Sequence, residues 1–333
     1  MKNYLEACKV PVVEIGAAHV PRLIMGLHPY DGISYVDREK DATNWERFTE
    51  VRNVVEVLRY AVEEGGIPIA QTDHMIPHLD RLHLVAIWKC MEETGIQIQT
   101  IPFLVVPLTL RGEKLDGDRV NATFDHYDLE AEGSAYREHF RSDPIIQYLT
   151  DAGEAMVTSE TVAPYTVEEM AHVEVDYGEL EQYIGFFDGF DILMADPGAE
   201  VDLLAMTGRF DLIREYLAFL KDRFSTVISS IHHAGVTIPL LEREQIDFDA
   251  YLTTINKPGV FMLPTPDLAV RAIREASKPV IAIKPQAGGR FLGQKAFDYV
   301  FNEIGAAACM FGMGTVEETG ETIAEAKKAL GVT

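Results

Sequence analysis

The stretch from Lys278 to Leu330 constrains this chain more than any other. It reads strand, helix, strand, helix without a break. Val280 to Lys284 is a short β-rich apolar run stopped by Pro285 and by Gly288 and Gly289, which tolerate positive φ. Ala296, Phe297, Val300 and Ile304 then recur at helical spacing, and Gly305 stands where a helix C-terminus favours a residue without Cβ. Ala307 to Phe311 is a second apolar strand. Gly312 and Gly314 open a tight turn, and Thr315 with Glu318 forms a capping box for the last helix.

Two successive βα units require a parallel sheet, because parallel strands need a crossover connection. The same alternation is traceable upstream: strands at Arg22 to Leu27, Ile67 to Thr72, Ile96 to Leu108, Asp191 to Ala195, Thr226 to Ile231 and Tyr251 to Ile255. With the two C-terminal strands this makes eight, the count of a closed (β/α)8 TIM barrel. Helices are expected at Asn44 to Glu64, around Leu82 to Met91, at Glu179 to Phe187, at Leu212 to Phe224 and at Asp267 to Ser277. Residues 1–333 are therefore read as a single α/β barrel domain. Val10 to Glu14 is a strand or hairpin covering one end.

The alternation fails between Arg111 and Asp176, after strand three. This segment is polar and aromatic, with a helix expected near Pro144 to Met156. A connection of that length is rarely structureless in a compact domain. Residues 111–176 are read as a long insertion, serving either as a lid or as an oligomer contact.

Lys plus Arg number 29 and Asp plus Glu 53, a net charge of −24. Such a surface disfavours nucleic acid and anionic membrane as partners but leaves a small anionic substrate open. Cys8, Cys90 and Cys309 have no metal-type spacing and read as reduced thiols of a cytoplasmic protein. The N-terminus lacks an apolar signal region, and no run approaches the length of a membrane span.

In a barrel the C-terminal strand ends converge on one site. Here they carry His28, Gln71, Asp73, His74, Asp196, His232, His233, Asn256, Lys284 and Gln286. Mixed imidazole and carboxylate groups such as Asp73, His74 and His232 could hold a divalent metal, Zn²⁺ or a similar ion. Because neighbouring strand residues point to opposite faces, at most one of Asp73 and His74, and one of His232 and His233, should aim inward. Lys284 could act as a base or Schiff-base nucleophile or hold an anion, the last being favoured by the adjacent glycine loops. Gly288, Gly289, Gly312, Gly314 and Thr315 offer backbone N–H groups and a helix N-terminus to a phosphate, and Arg290 a fork-shaped donor. The plainer reading is that the glycines only make turns.

With these strands placed, the chain resembles the aldo-keto reductase superfamily. The likeness lies in IKPQAGGRF and ACMFGMGTVEETGETIAEA, similar to that family's seventh strand and its final strand, turn and helix, and more faintly in RLIMGLHPYDG and VVEVLRYAVEEGGIPIAQTDH. It implies a (β/α)8 barrel and an NADP cofactor with its phosphates at the last glycine loops. The family's tetrad of Asp, Tyr, Lys and His is not matched. Gln71 or Asp73 falls near the Asp place, no tyrosine follows in QTDHMIPHLD, strand three has no lysine, Asp196 stands where the His belongs, and His232-His233 replaces a Ser-Asn pair. Without that proton donor the barrier to carbonyl reduction should rise by several kcal/mol. The sequence therefore favours metal-assisted or acid–base lyase, hydrolase or isomerase chemistry on a small molecule. His28, Asp73, His74, Asp196, His232, Asn256 and Lys284 would be the catalytic set: His232 or His74 as base, Asp73 or Asp196 as its carboxylate, Lys284 as oxyanion holder. An NADP-dependent reductase with an altered tetrad is the alternative, and a non-catalytic binding or scaffold protein the third reading.

Overall fold

A computed structural model describes residues 1–150 and 157–332. Its centre is a curled parallel sheet of seven strands. The chain first forms a hairpin, β1 (Val12–Ile15) with β2 (Ala18–Pro21), and enters the sheet at β3 (Leu23–Gly26). Strands β4 (Ile69–Thr72) and β5 (Gln99–Pro102) follow on one side. After three strands outside the sheet, β6 (Leu108–Leu110), β7 (Glu113–Lys114) and β8 (Val173–Val175), come β9 (Ile228–Ile231), β10 (Ala250–Thr254), β11 (Val280–Ile283) and β12 (Ala308–Gly312). The order is β5-β4-β3-β12-β11-β10-β9, every pair parallel.

The two open edges are spanned by residues 192–196. Ile192 bridges Thr100, Asp196 bridges Phe103, and Ala195 bridges Val227, all parallel. Leu193 N–H donates to Thr100 C=O at 2.9 Å and Ile228 N–H to Ala195 C=O at 2.9 Å. The expected fourth strand is thus present as isolated bridges rather than a continuous ladder, and the arrangement is consistent with a (β/α)8 fold. Every residue of β3, β4, β9 and β10 is buried, as expected of parallel strands covered on both faces, although β4, β9 and β10 each carry two polar side chains. The β1–β2 hairpin covers the N-terminal end, where Ala17 N–H donates to Thr226 Oγ1 at 3.2 Å.

Local signals are realised where they are strongest. Thr315 and Glu318 form the capping box at Val316–Ala329, and Gly305 takes φ 85° as the C-cap of the preceding helical segment, Tyr299–Ile304. Elsewhere boundaries move. The helix expected at Asn44 to Glu64 is two helices, Arg38–Phe48 and Val51–Glu63, the second starting after an extended Glu50. The long third strand shrinks to Gln99–Pro102. Pro102 ends it and Leu108 onward joins another sheet, because proline cannot donate to a ladder. A helix not foreseen, Glu200–Met206, follows the Asp196-Pro197-Gly198 turn.

Between β5 and Ile192 the described residues form regular elements as well as loops. Strands β7-β6-β8 make a small antiparallel sheet, and the helices Gly117–Glu132, Ser134–Ser142 and Pro144–Leu149 lie between β7 and β8. Asp116 and Asp143 cap two of these helices through their side chains. The last of the three begins at the expected Pro144; its expected continuation over 151–156 lies outside the described residues. Arg119 grips Glu169 with two parallel bonds of 2.9 and 2.8 Å, tying the start of this segment to its end. Among the described residues no helix is long and apolar enough to cross a membrane.

Candidate active site

The C-terminal strand ends enclose a cavity of about 680 Å³, within the usual range for a small-molecule site. Its wall includes His28, Tyr35, Asp73, Ser230, His232 and Lys284, with Gly288, Gly289, Gly312 and Gly314 at one side. Strand alternation sorts the paired residues. Asp73 lines the cavity while His74 stacks on Tyr183 with ring centroids 4.0 Å apart and accepts from Val105 N–H at 3.3 Å. His232 lines the cavity while His233 turns to Asp128, Nδ1 to Oδ2 2.6 Å.

Asp73 is held by its backbone. One oxygen accepts from the N–H groups of His74 at 2.6 Å and Met75 at 3.0 Å. Burial pushes its pKa up to about 6, against the pull of those two bonds. It therefore titrates close to neutrality. Behind it, Asp31 and Asp80 form a buried pair: burial and then the Asp80 and Asp73 charges raise the Asp31 carboxyl, while burial and then the Asp73 charge raise that of Asp80, against the pull of its bond with Asp31.

Lys284 is the unusual member. It directly follows β11 with φ 53°, and no carboxylate partner is present among the described residues; its ammonium lies 4.8 Å from the centroid of Tyr35 and 5.4 Å from that of Phe261. Desolvation pushes it down to about 8. His28 and His232 are lowered by burial and then by the Lys284 charge, so both are neutral imidazoles at pH 7. His28 meets Tyr35 edge-on at 5.4 Å.

Other expected site residues stand elsewhere. Asp196 is fully buried one bond behind the wall, accepting from Ser230 Oγ at 2.7 Å. Asn256 is spent on its own turn, with Nδ2 donating to Val260 C=O and Oδ1 accepting from Val260 N–H, both 2.9 Å. Asp73, His74 and His232 do not converge: no group of three or more His, Cys, Asp or Glu side chains among the described residues could hold a metal ion. That expectation failed because alternation turns His74 away from the Asp73 face.

The glycine loops are more crowded than their sequence implies. A Cβ at Gly314 would stand 2.0 Å from Glu318 Oε2, and that oxygen already accepts from Thr315 N–H at 2.9 Å. The anion position at the start of the last helix is thus filled by the chain's own carboxylate, itself paired with Lys40 at 2.9 Å. Arg290 Nη1 donates to the carbonyls of Tyr35, Ala287 and Gly288 at 2.6, 3.3 and 3.2 Å, so it braces the loop instead of pointing an open fork at a ligand. Gly289 and Gly312 remain on the cavity wall.

Several participants carry no local sequence signal. Tyr35 and Phe261 come from loops without periodicity, and both face Lys284. The Pro144–Leu149 helix reaches the same place: Tyr148 lies 5.8 Å from Tyr35, ring to ring, and its hydroxyl donates to Asp41 at 2.8 Å.

No family model matches the sequence, and no curated relative matches it either. Solved structures do. A chain from Pseudomonas aeruginosa assigned as an aldo-keto reductase superposes with a TM-score of 0.54 at 14% identity, covering 97% of each chain. A second such chain from that organism gives 0.52 at 13% identity, covering 96% of this chain and 95% of its own. At such identities the likeness is one of fold.

Proposed function

We propose that this chain, whose fold is similar to that of solved aldo-keto reductases, is a nicotinamide-dependent oxidoreductase acting on small carbonyl compounds with an altered catalytic set. The observation that carries the reading is the cavity itself: within that fold, a carboxyl raised to about 6, two neutral imidazoles and a lysine without a carboxylate partner among the described residues share the wall of a single mouth cavity. This reverses the preference for lyase or hydrolase chemistry that the missing tetrad suggested.

The residues present fit a nicotinamide dinucleotide in part. Gly289 and Gly312 let it approach the backbone, and Lys40 could turn from Glu318 to its diphosphate. Glu318, Glu321 and Glu325 on the same wall disfavour an additional 2′-phosphate, so NADP is the less well matched of the two forms. When bound, the nicotinamide supplies or accepts a hydride at the carbonyl carbon.

The chain's own groups supply the rest. His28 and His232, neutral, can donate an N–H to the carbonyl oxygen, and the Lys284 ammonium stabilises negative charge developing there. Asp73, with a pKa near 6, delivers the proton. Tyr35 and Phe261 give the carbonyl group flat apolar walls. In this reading residues 111–176 act as a lid, since Tyr148 covers Tyr35 at the mouth.

The test is turnover: oxidation of NADH or NADPH with a panel of aldehydes and ketones, for the unaltered protein and for Asp73→Asn. A general acid contributes on the order of 100-fold or more, so kcat should fall by that factor with nucleotide binding unchanged. Turnover unaffected by Asp73→Asn would remove the residue from the mechanism, and no carbonyl-dependent oxidation with either nucleotide would sink the reading.

A further inference from the structure

A lysine enclosed by a cavity normally finds a carboxylate, because the cost of desolvating an isolated ammonium is large. In a chain with 53 acidic residues, Lys284 has found none among the described residues, although Asp73 lines the same cavity. Its surroundings are uncharged at neutral pH: the faces of Tyr35 and Phe261, and the imidazoles of His28 and His232. Nor is the side chain there for packing alone, since it lines a cavity of about 680 Å³ that opens at the mouth. The positive φ of Lys284 is a further sign that its position is held by its surroundings: φ of 53° is unfavourable for a residue with Cβ.

An amine held against aromatic faces without a counter-ion, yet reachable from a cavity, is the arrangement that turns lysine into a nucleophile. From Lys284 without a carboxylate partner among the described residues, its two aromatic walls and the two imidazoles on the same cavity wall, we propose that the protein condenses with small aldehydes and ketones at Lys284, forming an imine. The Nζ lone pair attacks the carbonyl carbon, the C=O π electrons move to oxygen, and a proton passes from nitrogen to that oxygen to give a carbinolamine. The hydroxyl then leaves as water as the nitrogen forms its double bond to carbon. Atoms balance as amine plus carbonyl giving imine plus water, with no oxidant or reductant consumed. His28 or His232, as a neutral base that becomes an acid, can carry the proton from nitrogen to the departing hydroxyl. The flat sp² carbon lies against Tyr35 and Phe261.

This activity goes beyond the oxidoreductase reading and needs no nucleotide. The two draw on different protonation states of one residue, the ammonium serving hydride chemistry and the free amine condensation. Their pH dependences are therefore opposite: condensation rises as pH passes through about 8, and the electrostatic role of the ammonium fades over that range.

The experiment is reductive trapping without nucleotide. The full chain is incubated with butanal, dihydroxyacetone or pyruvate and sodium cyanoborohydride at pH 6.5 to 9.5, and alkylation of every lysine is quantified by peptide mass spectrometry. Lys284 should be alkylated at least 10-fold faster than the surface lysines with at least one probe, its rate climbing through pH 8. Lys284→Arg, which keeps the charge, should abolish the preferred adduct while circular dichroism shows the fold retained. Should that variant not fold, His232→Gln provides a second arm: Lys284 labelling slows while surface labelling does not. Alkylation of Lys284 no faster than that of the surface lysines, with all three probes, overturns the proposal. So does a fast adduct that Lys284→Arg leaves in place. Failure of nucleotide oxidation, by contrast, leaves this result untouched.

Discussion

Asp128→Asn tests how the segment between β5 and Ile192 is fastened to the barrel. Asp128, on the Gly117–Glu132 helix, is fully buried, and its Oδ2 lies 2.6 Å from His233 Nδ1 at the end of β9, with Phe124 stacked on the imidazole at 4.5 Å. Burial alone would lower the His233 pKa. The Asp128 charge and hydrogen bond, with Asp202 and Asp125 behind them, outweigh it and push the group up to about 9 from 6.5. At ~1.4 kcal/mol per pH unit that difference amounts to about 3 kcal/mol. Removing one partner of a buried pair costs a similar ~3–5 kcal/mol. The folded-state pKa is raised, so the contribution is complete below pH 6.5 and is lost as pH rises through 9. Urea unfolding of the two proteins at pH 6 should differ by about 3 kcal/mol, and the gap should narrow steadily towards pH 9.5. A difference below about 0.5 kcal/mol, or one that does not change with pH, would refute the reasoning, since only an ion pair with this titration gives both.

Three further substitutions follow from the site. For Lys284 the sign is opposite: its folded pKa is depressed from 10.5 to about 8, so the ammonium destabilises below pH 8 and the penalty disappears as pH rises towards 10.5. Lys284→Met should therefore raise urea stability at pH 7 by about 1–2 kcal/mol, discounted for contact with the cavity, with no gain left near pH 10.5. Gly288→Ala should lose roughly 2 kcal/mol, because φ is 63° and a Cβ would stand 3.0 Å from that of Tyr35; thermal unfolding measures it, and an unchanged midpoint would contradict it. Glu318→Ala removes the acceptor for Thr315 N–H and the partner of Lys40, and should cost about 1 kcal/mol, while inorganic phosphate should restore part of that loss and leave the unaltered protein's stability unchanged.

What the sequence disclosed was what is local. Strand runs closed by glycine, the Thr315 capping box and the alternation that separates Asp73 from His74 each depend on residues within a few positions of one another, and each appears in the fold. The hidden part is made by contacts far apart in the chain. His233 and Asp128 are 105 residues apart, Arg290 and Tyr35 255 apart. No periodicity marks Phe261 as a wall for Lys284, and the fourth barrel segment lacks a regular ladder because it touches its neighbours through single bridges. The glycine loops show the opposite hazard: their pattern suggests an anion cradle, yet only the structure reveals that Glu318 and Arg290 already occupy the space.

The central claim is that the mouth cavity receives a nicotinamide dinucleotide and a carbonyl compound. Trp45, 44% exposed on the helix that also carries Lys40 and Asn44 of the cavity wall, gives a fluorescence signal for the first of these. Titration with NADH and with NADPH should show saturable quenching by at least one, tighter for NADH given Glu318, Glu321 and Glu325. Gly312→Leu, whose Cβ would already lie 3.3 Å from Pro29, fills the cavity and should weaken binding by 10-fold or more. Quenching by neither nucleotide, or quenching indifferent to Gly312→Leu, would contradict the account.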